Sequence, residues 1–291
     1  MAEIDLTDAR EKLKRARHHF DVLRAQVEPF EKSDSHRFSF EVDADTGIYT
    51  FYIHDLGVPD PDWGLITGDC LHNARTALDY LAVRLYALGT GTDPSDVSGI
   101  SFPIAESPDR FQSNPSVAGF KNELGLSGYL ARIEEMQPFN AGNPSIWGFD
   151  EWPINPGLPA ALNRLSRLDN IDKHRVIHVV WIGVAPLHGV PMRPPASFKA
   201  LGGGTRLEPL EDDAEVGTLS FEGPLPGEWN PSQMEMQRHF PLEVAFDEPS
   251  PANALLETLW FCLWGVEAAL GLFDPVFAAH QPPRPVTDTL G

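Results

Sequence analysis

The chain has 291 residues, of which 42% are hydrophobic and 10% aromatic, and this is enough apolar material to bury a core without metals or disulfides. The composition excludes an intrinsically disordered chain. The formal net charge of −20 repels phosphate backbones at long range, so it argues against a general nucleic-acid coat protein and leaves no strong nucleic-acid signal.

Two long helices and a β-hairpin are predicted in the first third of the chain. Apolar residues at alternating spacings of four and three predict a first helix over residues 6–30, with a seam that needs another helix against it. Period-two alternation at 38–42 and 49–53, on either side of the turn-forming segment 43–47, predicts the hairpin. An apolar stripe predicts a second helix over residues 62–88.

The middle of the chain mixes helical and irregular sequence. We expect a short strand at 100–104 and an irregular segment over 108–120, followed by a helix over 126–136. Residues 137–158 are rich in Pro, Asn, Gly and Trp, and they predict a long ordered loop of the kind that often carries function. A leucine stripe predicts a further helix over 158–171.

β-structure is predicted for much of the last third. The apolar run at 175–184 is typical of a buried strand, and the region that follows it is broken by Pro and Gly. Further candidate strands lie at 198–201, 216–221 and 240–246. The last helix is predicted over 252–272.

This order of elements favours the α+β class, because strands do not alternate regularly with helices as they do in a doubly wound sheet. We predict a bundle of long helices packed beside an antiparallel β-sheet in a single domain, residues 1–279. Helices and the hairpin occupy 1–175, mainly β-structure occupies 176–250, and the C-terminal helix occupies 251–273. The tail, 280–291, is predicted to be disordered.

The two cysteines, Cys70 and Cys262, both lie in apolar helical sequence, so we predict buried free thiols and no disulfide framework. Residues 1–10 are polar and charged, unlike a secretory signal. The most apolar stretch, 252–273, carries two glutamates and lacks basic flanks, which favours a buried helix over a membrane span. These features predict a cytoplasmic protein.

The most informative segment for chemistry is GDCLHNARTALD at residues 68–79. On a helix with about 100° per residue, Asp69, His72, Arg75 and Asp79 fall within one arc of roughly 120°, opposite the apolar stripe. The simpler interpretation is a solvated face with charge pairs such as Arg75 with Asp79. The alternative is a covered polar site, because an imidazole beside a carboxylate suits acid–base work and a guanidinium suits an anionic oxygen.

A second polar cluster, DNIDKHR at residues 169–175, closes one predicted helix and opens a buried strand. Basic residues at a helix C-terminus complement the helix dipole, which is its simpler explanation. His174 follows Ile171 by three residues, in line with the apolar stripe, so we expect it to point inward. We also expect the two clusters to meet in space.

Together the clusters predict a metal-independent hydrolase of a phosphodiester or nucleotide, acting on a small molecule or on RNA. His72 or His174 would be the general acid–base, and Arg75 would stabilise the developing negative charge. Asp69 and Asp79 would orient the imidazole and the guanidinium. Substrate contacts are predicted at Asn73, Asp172, Lys173 and Arg175.

Two alternatives stay open at this point. Asp69, His72, Asp79 and His174 could be metal ligands, but no dense ligand motif is present, so we predict no metal and no cofactor. The chain could instead be a non-catalytic binding or assembly protein whose polar clusters are salt bridges. The apolar C-terminal helix, with Trp260, Phe261 and Trp264, would then supply a core or the interface of a homo-oligomer.

The motifs GDxLHNxRxALD at 68–79, QPF at 137–139 and LDNIDKHR at 168–175 resemble a family of uncharacterised bacterial and phage proteins. The resemblance covers roughly residues 60–180 and implies no particular activity. In that family a histidine often stands at the position of Tyr80, which gives an Arg-x4-His pattern similar to the HEPN ribonucleases, helical bundles that use an arginine and a histidine four to six residues apart. In this chain Tyr80 breaks the first copy of the pattern. Arg167 and His174, with six residues between them, give a second possible copy. The likeness implies HEPN-like RNA cleavage.

Overall fold

The structure, a computed structural model, describes residues 4–33, 36–43, 45–46, 48–123, 126–141, 157–183, 200–205, 209–221, 242–247 and 254–273. The chain divides into two compact units. The helical unit comprises residues 1–21, 66–176 and 258–291, and the sheet unit comprises residues 22–65 and 177–257. The predicted α+β class is confirmed, whereas the single domain over 1–279 stays a prediction.

Seven α-helices lie within the described residues: α1 (Thr7–Glu31), α2 (Asp62–Thr90), α3 (Pro108–Gln112), α4 (Pro115–Lys121), α5 (Ser127–Glu135), α6 (Gly157–His174) and α7 (Leu255–Gly271). Short 3-10 helices lie at Pro94–Asp96 and Pro138–Asn140. The five helices predicted from apolar periodicity are confirmed to within three residues at each end.

The helical unit is built on close approaches between apolar helix faces. The predicted seam of α1 is buried at Ala9, Leu13 and Ala16, with at most 2% of each residue exposed. Helices α6 and α7 approach so closely that a Cβ at Gly265 would lie 2.5 Å from the Cβ of Ala161, and this explains a glycine in the middle of an apolar helix.

Both cysteines lie in this core as free thiols, as predicted. Burial is the main cause that raises the pKa of each thiol, in the case of Cys262 to about 12, so both are protonated and unreactive at neutral pH.

The predicted strand at 100–104 is wrong, and its hydrogen bonds show why. The backbone there bonds to side chains and not to a neighbouring strand: the N–H of Phe102 donates to Asp79 Oδ1 at 2.9 Å, and the N–H of Ala105 donates to Gln137 Oε1 at 2.9 Å. Gln137 is fully buried and in turn donates to the carbonyl of Pro103. The segment is therefore extended but is held by polar side chains.

The irregular structure predicted for 108–120 is also wrong, because this segment forms α3 and α4. Each of these short helices has a capping residue followed by proline at its first position. The side chain of Ser107 accepts from the N–H of Arg110, and that of Asn114 accepts from the N–H of Ser116. These caps satisfy backbone groups that the short helices leave unbonded.

The sheet unit contains six described strands: β1 (Arg37–Val42), β2 (Ile48–His54), β3 (Val179–Gly183), β4 (Ala200–Thr205), β5 (Glu215–Phe221) and β6 (Leu242–Phe246). Four form an antiparallel sheet in the order β1-β2-β5-β4, and β3 pairs antiparallel with β6. The predicted hairpin is confirmed, with Arg37 opposite His54 and Val42 opposite Tyr49.

The alternation of β2 defines two faces of the larger sheet. Tyr49, Phe51 and Ile53 are buried, whereas Thr50, Tyr52 and His54 are only partly buried. Strand β3 starts at Val179, four residues later than predicted, and Val176 before it is 49% exposed. The predicted strands 198–201 and 240–246 lie partly outside the described residues. Residues 142–156 of the predicted loop and the tail 280–291 lie entirely outside them.

Candidate functional site

The two polar clusters meet in the helical unit, as predicted. His72 Nδ1 on α2 lies 4.0 Å from Asp169 Oδ1 on α6. A Cβ at Gly68 would lie 2.2 Å from Asp172 Oδ1, so the glycine of the 68–79 motif permits the close approach of the two helices. Asp169 also accepts a hydrogen bond from Lys173 Nζ at 2.6 Å, one turn further along α6.

A pocket of about 480 Å³ opens beside this contact, between α2, α6 and residues 104–114. Its wall contains four basic side chains, Arg75, Arg110, Arg167 and Lys173. The rest of the wall is formed by Glu106, Asp169, Asn114, Asn163, Ser166, Asn170, Ile104 and Ala105. Four of the twelve lining residues are basic and two are acidic, so the wall carries a formal net charge of +2 on a chain whose net charge is −20.

Helix α6 supplies half of the pocket wall because its surface divides into two stripes. Leu158, Leu162, Leu165 and Leu168 are buried in the core of the helical unit. The pocket residues lie to one side of this apolar stripe at spacings of three and four: Asn163, Ser166, Arg167, Asn170 and Lys173. Residues so spaced neighbour one another on a helix, so one helix presents a continuous polar surface to the pocket.

Arg75 is fixed by two hydrogen bonds and keeps one nitrogen unpaired. Its side chain is 15% exposed, and Nη2 donates to Asp79 Oδ1 at 3.1 Å and to the carbonyl of Phe102 at 2.5 Å. The pair with Asp79 that the simpler interpretation predicts is confirmed. Arg75 Nη1 is buried and has no hydrogen-bond partner among the described residues.

Asp79 completes this arrangement, since it accepts from both Arg75 and the N–H of Phe102. Burial raises the pKa of Asp79, and the charge of Arg75 and the bond from Phe102 oppose that rise. Asp79 thus orients the guanidinium, as expected, and it also ties α2 to the segment that forms the opposite wall of the pocket.

Asp169 and Asn163 add two unpaired acceptors. Asp169 is 3% exposed; one carboxylate oxygen accepts from Lys173, while Oδ1 is buried without a hydrogen-bond partner among the described residues. Asn163 Oδ1 is in the same state. A buried polar atom left unpaired costs about 1–3 kcal/mol, so an arrangement that pairs all three atoms with a bound molecule is favoured.

The structure separates the predicted site residues into two groups. Arg75 and Lys173 line the pocket, whereas the lining residues do not include the others: Asp69, His72, Asn73, Asp79, Asp172, His174 and Arg175. Of these, His72 is 62% exposed but touches Asp169, and Asp79 acts through Arg75. Asn73 donates to the carbonyl of Asp69 at 2.8 Å, so its side chain is occupied along its own helix.

The prediction that His174 points inward is wrong. His174 is exposed at the last position of α6, and Arg175 after it is exposed too. Each step of three residues drifts by about 60° around a helix, so His174 lies roughly 180° from Leu165 at the centre of the buried face. The partner of the imidazole of His72 is Asp169, and Asp69, which was predicted to orient it, is exposed on α2.

Most of the remaining pocket residues had not been predicted. Asp169 lies in the DNIDKHR motif, which gives no sign that this residue in particular lines a pocket, and Asn163, Ser166 and Asn170 carry the signal of a polar stripe along α6. Arg110 and Asn114 had no such signal, because their segment was predicted to be irregular.

No family model matches the chain, and neither a curated protein nor a solved structure matches it. The likeness to HEPN ribonucleases stays a hypothesis. Of the Arg167–His174 copy, Arg167 lies in the pocket wall and His174 does not.

Three further features bear on the alternative functions. Within the described residues there is no group of three or more His, Cys, Asp or Glu side chains that could hold a metal ion, and no helix long and apolar enough to cross a membrane. Most of α7 belongs to the core of the helical unit. Phe261 and Trp264 on α7 stack at 5.7 Å and are only partly buried, and an interface at this surface stays a prediction.

Proposed function

We propose that the helical unit binds a small phosphate-bearing molecule in the pocket of about 480 Å³. The observation that carries the proposal is the convergence of Arg75, Arg110, Arg167 and Lys173 on one concave surface of a chain whose net charge is −20. An acidic protein repels anions at long range, so a cluster of cations is what a phosphate requires for binding here. Arginine suits it because the guanidinium can donate two parallel hydrogen bonds to phosphate oxygens.

The unpaired atoms of the wall narrow the class of ligand. Arg75 Nη1 requires an acceptor, which a phosphate oxygen supplies, while Asn163 Oδ1 and Asp169 Oδ1 require O–H or N–H donors. A sugar phosphate or a nucleoside phosphate carries both kinds of group, whereas inorganic phosphate satisfies only the first. The volume also fits a small molecule, since ligand pockets commonly measure about 300–1,000 Å³.

The proposal is tested by calorimetric titration of the full chain with adenosine monophosphate and, in parallel, with inorganic phosphate. We expect the nucleotide to bind more tightly, and Arg167→Ala to weaken its binding at least about tenfold, because one charge-assisted hydrogen bond contributes about 1.5–3 kcal/mol. Arg15→Ala, which removes an exposed arginine of α1 outside the pocket wall, is the matched control and should leave the affinity unchanged. Equal affinities in the two variants, or no binding of either probe at millimolar concentration, would contradict a phosphate site.

A second candidate function, hydrolysis of the bound phosphate ester, is favoured by the contact between His72 and Asp169. A carboxylate that accepts a hydrogen bond from Nδ1 would orient the imidazole with Nε2 free to act as a base, and Arg75 lies one helical turn further along α2 to stabilise negative charge. The separation of 4.0 Å is longer than a hydrogen bond, and such contacts often shorten only in the substrate complex. No metal enters this chemistry.

Hydrolysis is tested with bis(p-nitrophenyl) phosphate and with nucleotides as substrates. His72→Ala should lower the rate at least a hundredfold, the usual contribution of a general acid–base, and leave the binding of adenosine monophosphate within a factor of three. His18→Ala, an exposed histidine on α1, should leave the rate unchanged. If His72→Ala retains full turnover, or if no cleavage is detectable in the wild-type protein, the site binds its ligand without catalysis.

A further inference from the structure

The sheet unit contains a chain of three hydrogen-bonded side chains on its solvent-facing side. Ser39 Oγ on β1 lies 2.5 Å from His54 Nε2 on β2, and His54 Nδ1 lies 2.5 Å from Asp213 Oδ1, two residues before β5. Ser39 faces Tyr52 across the hairpin, so it is the diagonal neighbour of His54 on the same face of the sheet.

When the imidazole of His54 is neutral, its contact with a carboxylate sets the direction in which protons are donated. An ionised carboxylate can only accept, so the proton between His54 and Asp213 resides on Nδ1. Nε2 then carries a lone pair and accepts the hydroxyl proton of Ser39. This is the arrangement in which an imidazole acts as the base for a serine nucleophile, and such sites are identified by geometry and not by the order of residues in the chain.

The backbone holds the acid and the base in place. Asp55, next to His54, has φ 57°, and Asp213 has φ 63°; they are the non-glycine residues with positive φ in the part of the chain that the structure describes. Uncommon backbone conformations persist where the surroundings enforce them, and they concentrate at active sites. Here the N–H of Leu56 donates to Asp212 Oδ1 at 3.1 Å, which joins the two turns.

A backbone donor for a developing oxyanion lies next to the serine. The N–H of Asp43 donates to the carbonyl of Ile48, so bonded and non-bonded pairs alternate from there along the hairpin, and the N–H of Phe40 points away from β2. Within the described residues, strand β1 is the edge of the four-stranded sheet, so this N–H points away from the described strands, beside Ser39.

We propose that Ser39, His54 and Asp213 form a nucleophilic triad that cleaves carboxylic esters. Ser39 Oγ attacks the carbonyl carbon and forms the new C–O bond, while its proton passes to His54 Nε2. The bond to the leaving alcohol breaks as the imidazolium returns that proton to the alcohol oxygen. Water then attacks the acyl-serine with His54 again as the base, which releases the carboxylic acid and restores the serine.

The substrate class follows from the exposure of the site. The side chain of Asp213 is 78% exposed, that of His54 is 22% exposed and Ser39 is partly buried, so within the described residues the triad is most accessible from the side of Asp213. We therefore expect activity on short, activated acyl esters. The triad shares no residue with the phosphate pocket, so failure of one proposal leaves the other intact.

The proposal is tested with a fluorophosphonate probe on the full chain, with the adduct located by peptide mass spectrometry. Ser39 Oγ should displace fluoride and retain the phosphonyl group. Ser39→Ala should abolish labelling, and His54→Gln should slow it at least a hundredfold, because the general base is lost. Asp213→Asn should slow it about tenfold or more, because the tautomer of His54 is no longer fixed.

Ser127→Ala is the matched control, since Ser127 is an exposed serine at the start of α5, and it should label at the wild-type rate. Turnover of p-nitrophenyl acetate should follow the same ranking of variants. Circular dichroism should show that each variant is folded, which is expected because none of the three side chains belongs to the buried core. No adduct, an adduct on another serine, or labelling of His54→Gln at the wild-type rate would each overturn the triad.

Discussion

Replacing Arg75 by alanine should lower the free energy of unfolding by about 2–3 kcal/mol and abolish nucleotide binding. The change removes the bonds from Nη2 to Asp79 and to the carbonyl of Phe102. The carboxylate of Asp79 then remains largely buried, and the N–H of Phe102 and the more distant charge of Lys173 balance it. Loss of one partner of a buried ion pair costs about 3–5 kcal/mol. Asp79 keeps 32% of its side-chain exposure, which lowers this figure.

The pH dependence distinguishes this cause from simple loss of packing. Burial already raises the pKa of Asp79, and the charge of Arg75 is the main opposing influence, so the variant raises that pKa further. A group whose folded-state pKa is raised binds its proton more tightly in the folded protein, so its penalty appears as the pH rises. Urea denaturation should therefore show a larger difference between wild type and variant at pH 8 than at pH 4.5.

Arg110→Ala is the control within the same pocket. Arg110 is exposed, so its removal should change the unfolding free energy by no more than about 0.5 kcal/mol. It should still lower the affinity for the nucleotide, because Arg110 lines the pocket. The double variant Arg75→Ala/Asp79→Asn should regain part of the lost stability, because the unpaired charge is gone. If Arg75→Ala is as stable as the wild type at both pH values, the hydrogen bonds that Arg75 makes to Asp79 and to the carbonyl of Phe102 do not contribute to stability.

The helices and the hairpin were predictable because each depends on a local periodicity. The seam of α1, the stripes of α2 and α6 and the alternation at 38–53 reflect burial on one face, which is imposed by 3.6-residue and two-residue repeats. Segment 100–105 was not predictable, since its backbone is bonded to Asp79 and Gln137, both distant in sequence. Its apolar composition resembled a strand, but tertiary hydrogen bonds determined its conformation.

The sequence motif at 68–79 is explained largely by architecture. Gly68 permits the approach of Asp172, and Arg75 with Asp79 holds the chain at Phe102. Gln137 of the QPF motif at 137–139 holds the same segment through hydrogen bonds with the N–H of Ala105 and the carbonyl of Pro103. The motifs thus help to build the wall of the pocket, and Arg75 is the one predicted catalytic residue among the residues that line it.

The candidate triad shows the opposite limit of sequence analysis. Ser39 lies in the predicted hairpin and His54 lies one residue beyond it, but Asp213 is 159 positions beyond His54 and no motif connects them. Only the register of β2 against β5 brings the turn before β5 next to His54. Pairing of distant strands is set by the whole fold, so a search for local motifs could not find this site.

Glu31→Gln should stabilise the protein by about 2 kcal/mol at pH 8 and change its stability little at pH 4.5. Burial raises the pKa of Glu31 from 4.5 to about 7; Glu243 and Glu28 add to the rise, while the bond from the N–H of Val244 and the charge of Lys32 oppose it. Because the folded pKa lies above the unfolded one, this group's contribution to stability falls as the pH rises from 4.5 to 7. This rise in the pKa of Glu31, about 2.5, corresponds to about 3.4 kcal/mol of stability, and the partial exposure of Glu31 lowers the expected free-energy difference to about 2 kcal/mol.

Glutamine suits the test because its amide oxygen can still accept the hydrogen bond that Glu31 Oε1 receives from Val244 at 2.8 Å. Urea denaturation of both proteins at several pH values should show curves that coincide near pH 4.5 and diverge up to pH 8. Glu41→Gln, an exposed glutamate on β1, should give no such divergence. Burial and Glu257 also raise the pKa of Glu243. The Glu31→Gln variant should therefore still lose some stability as the pH rises, but less than the wild type does. A difference between wild type and Glu31→Gln that is the same at every pH would mean that Glu31 ionises in the folded protein as readily as in the unfolded chain.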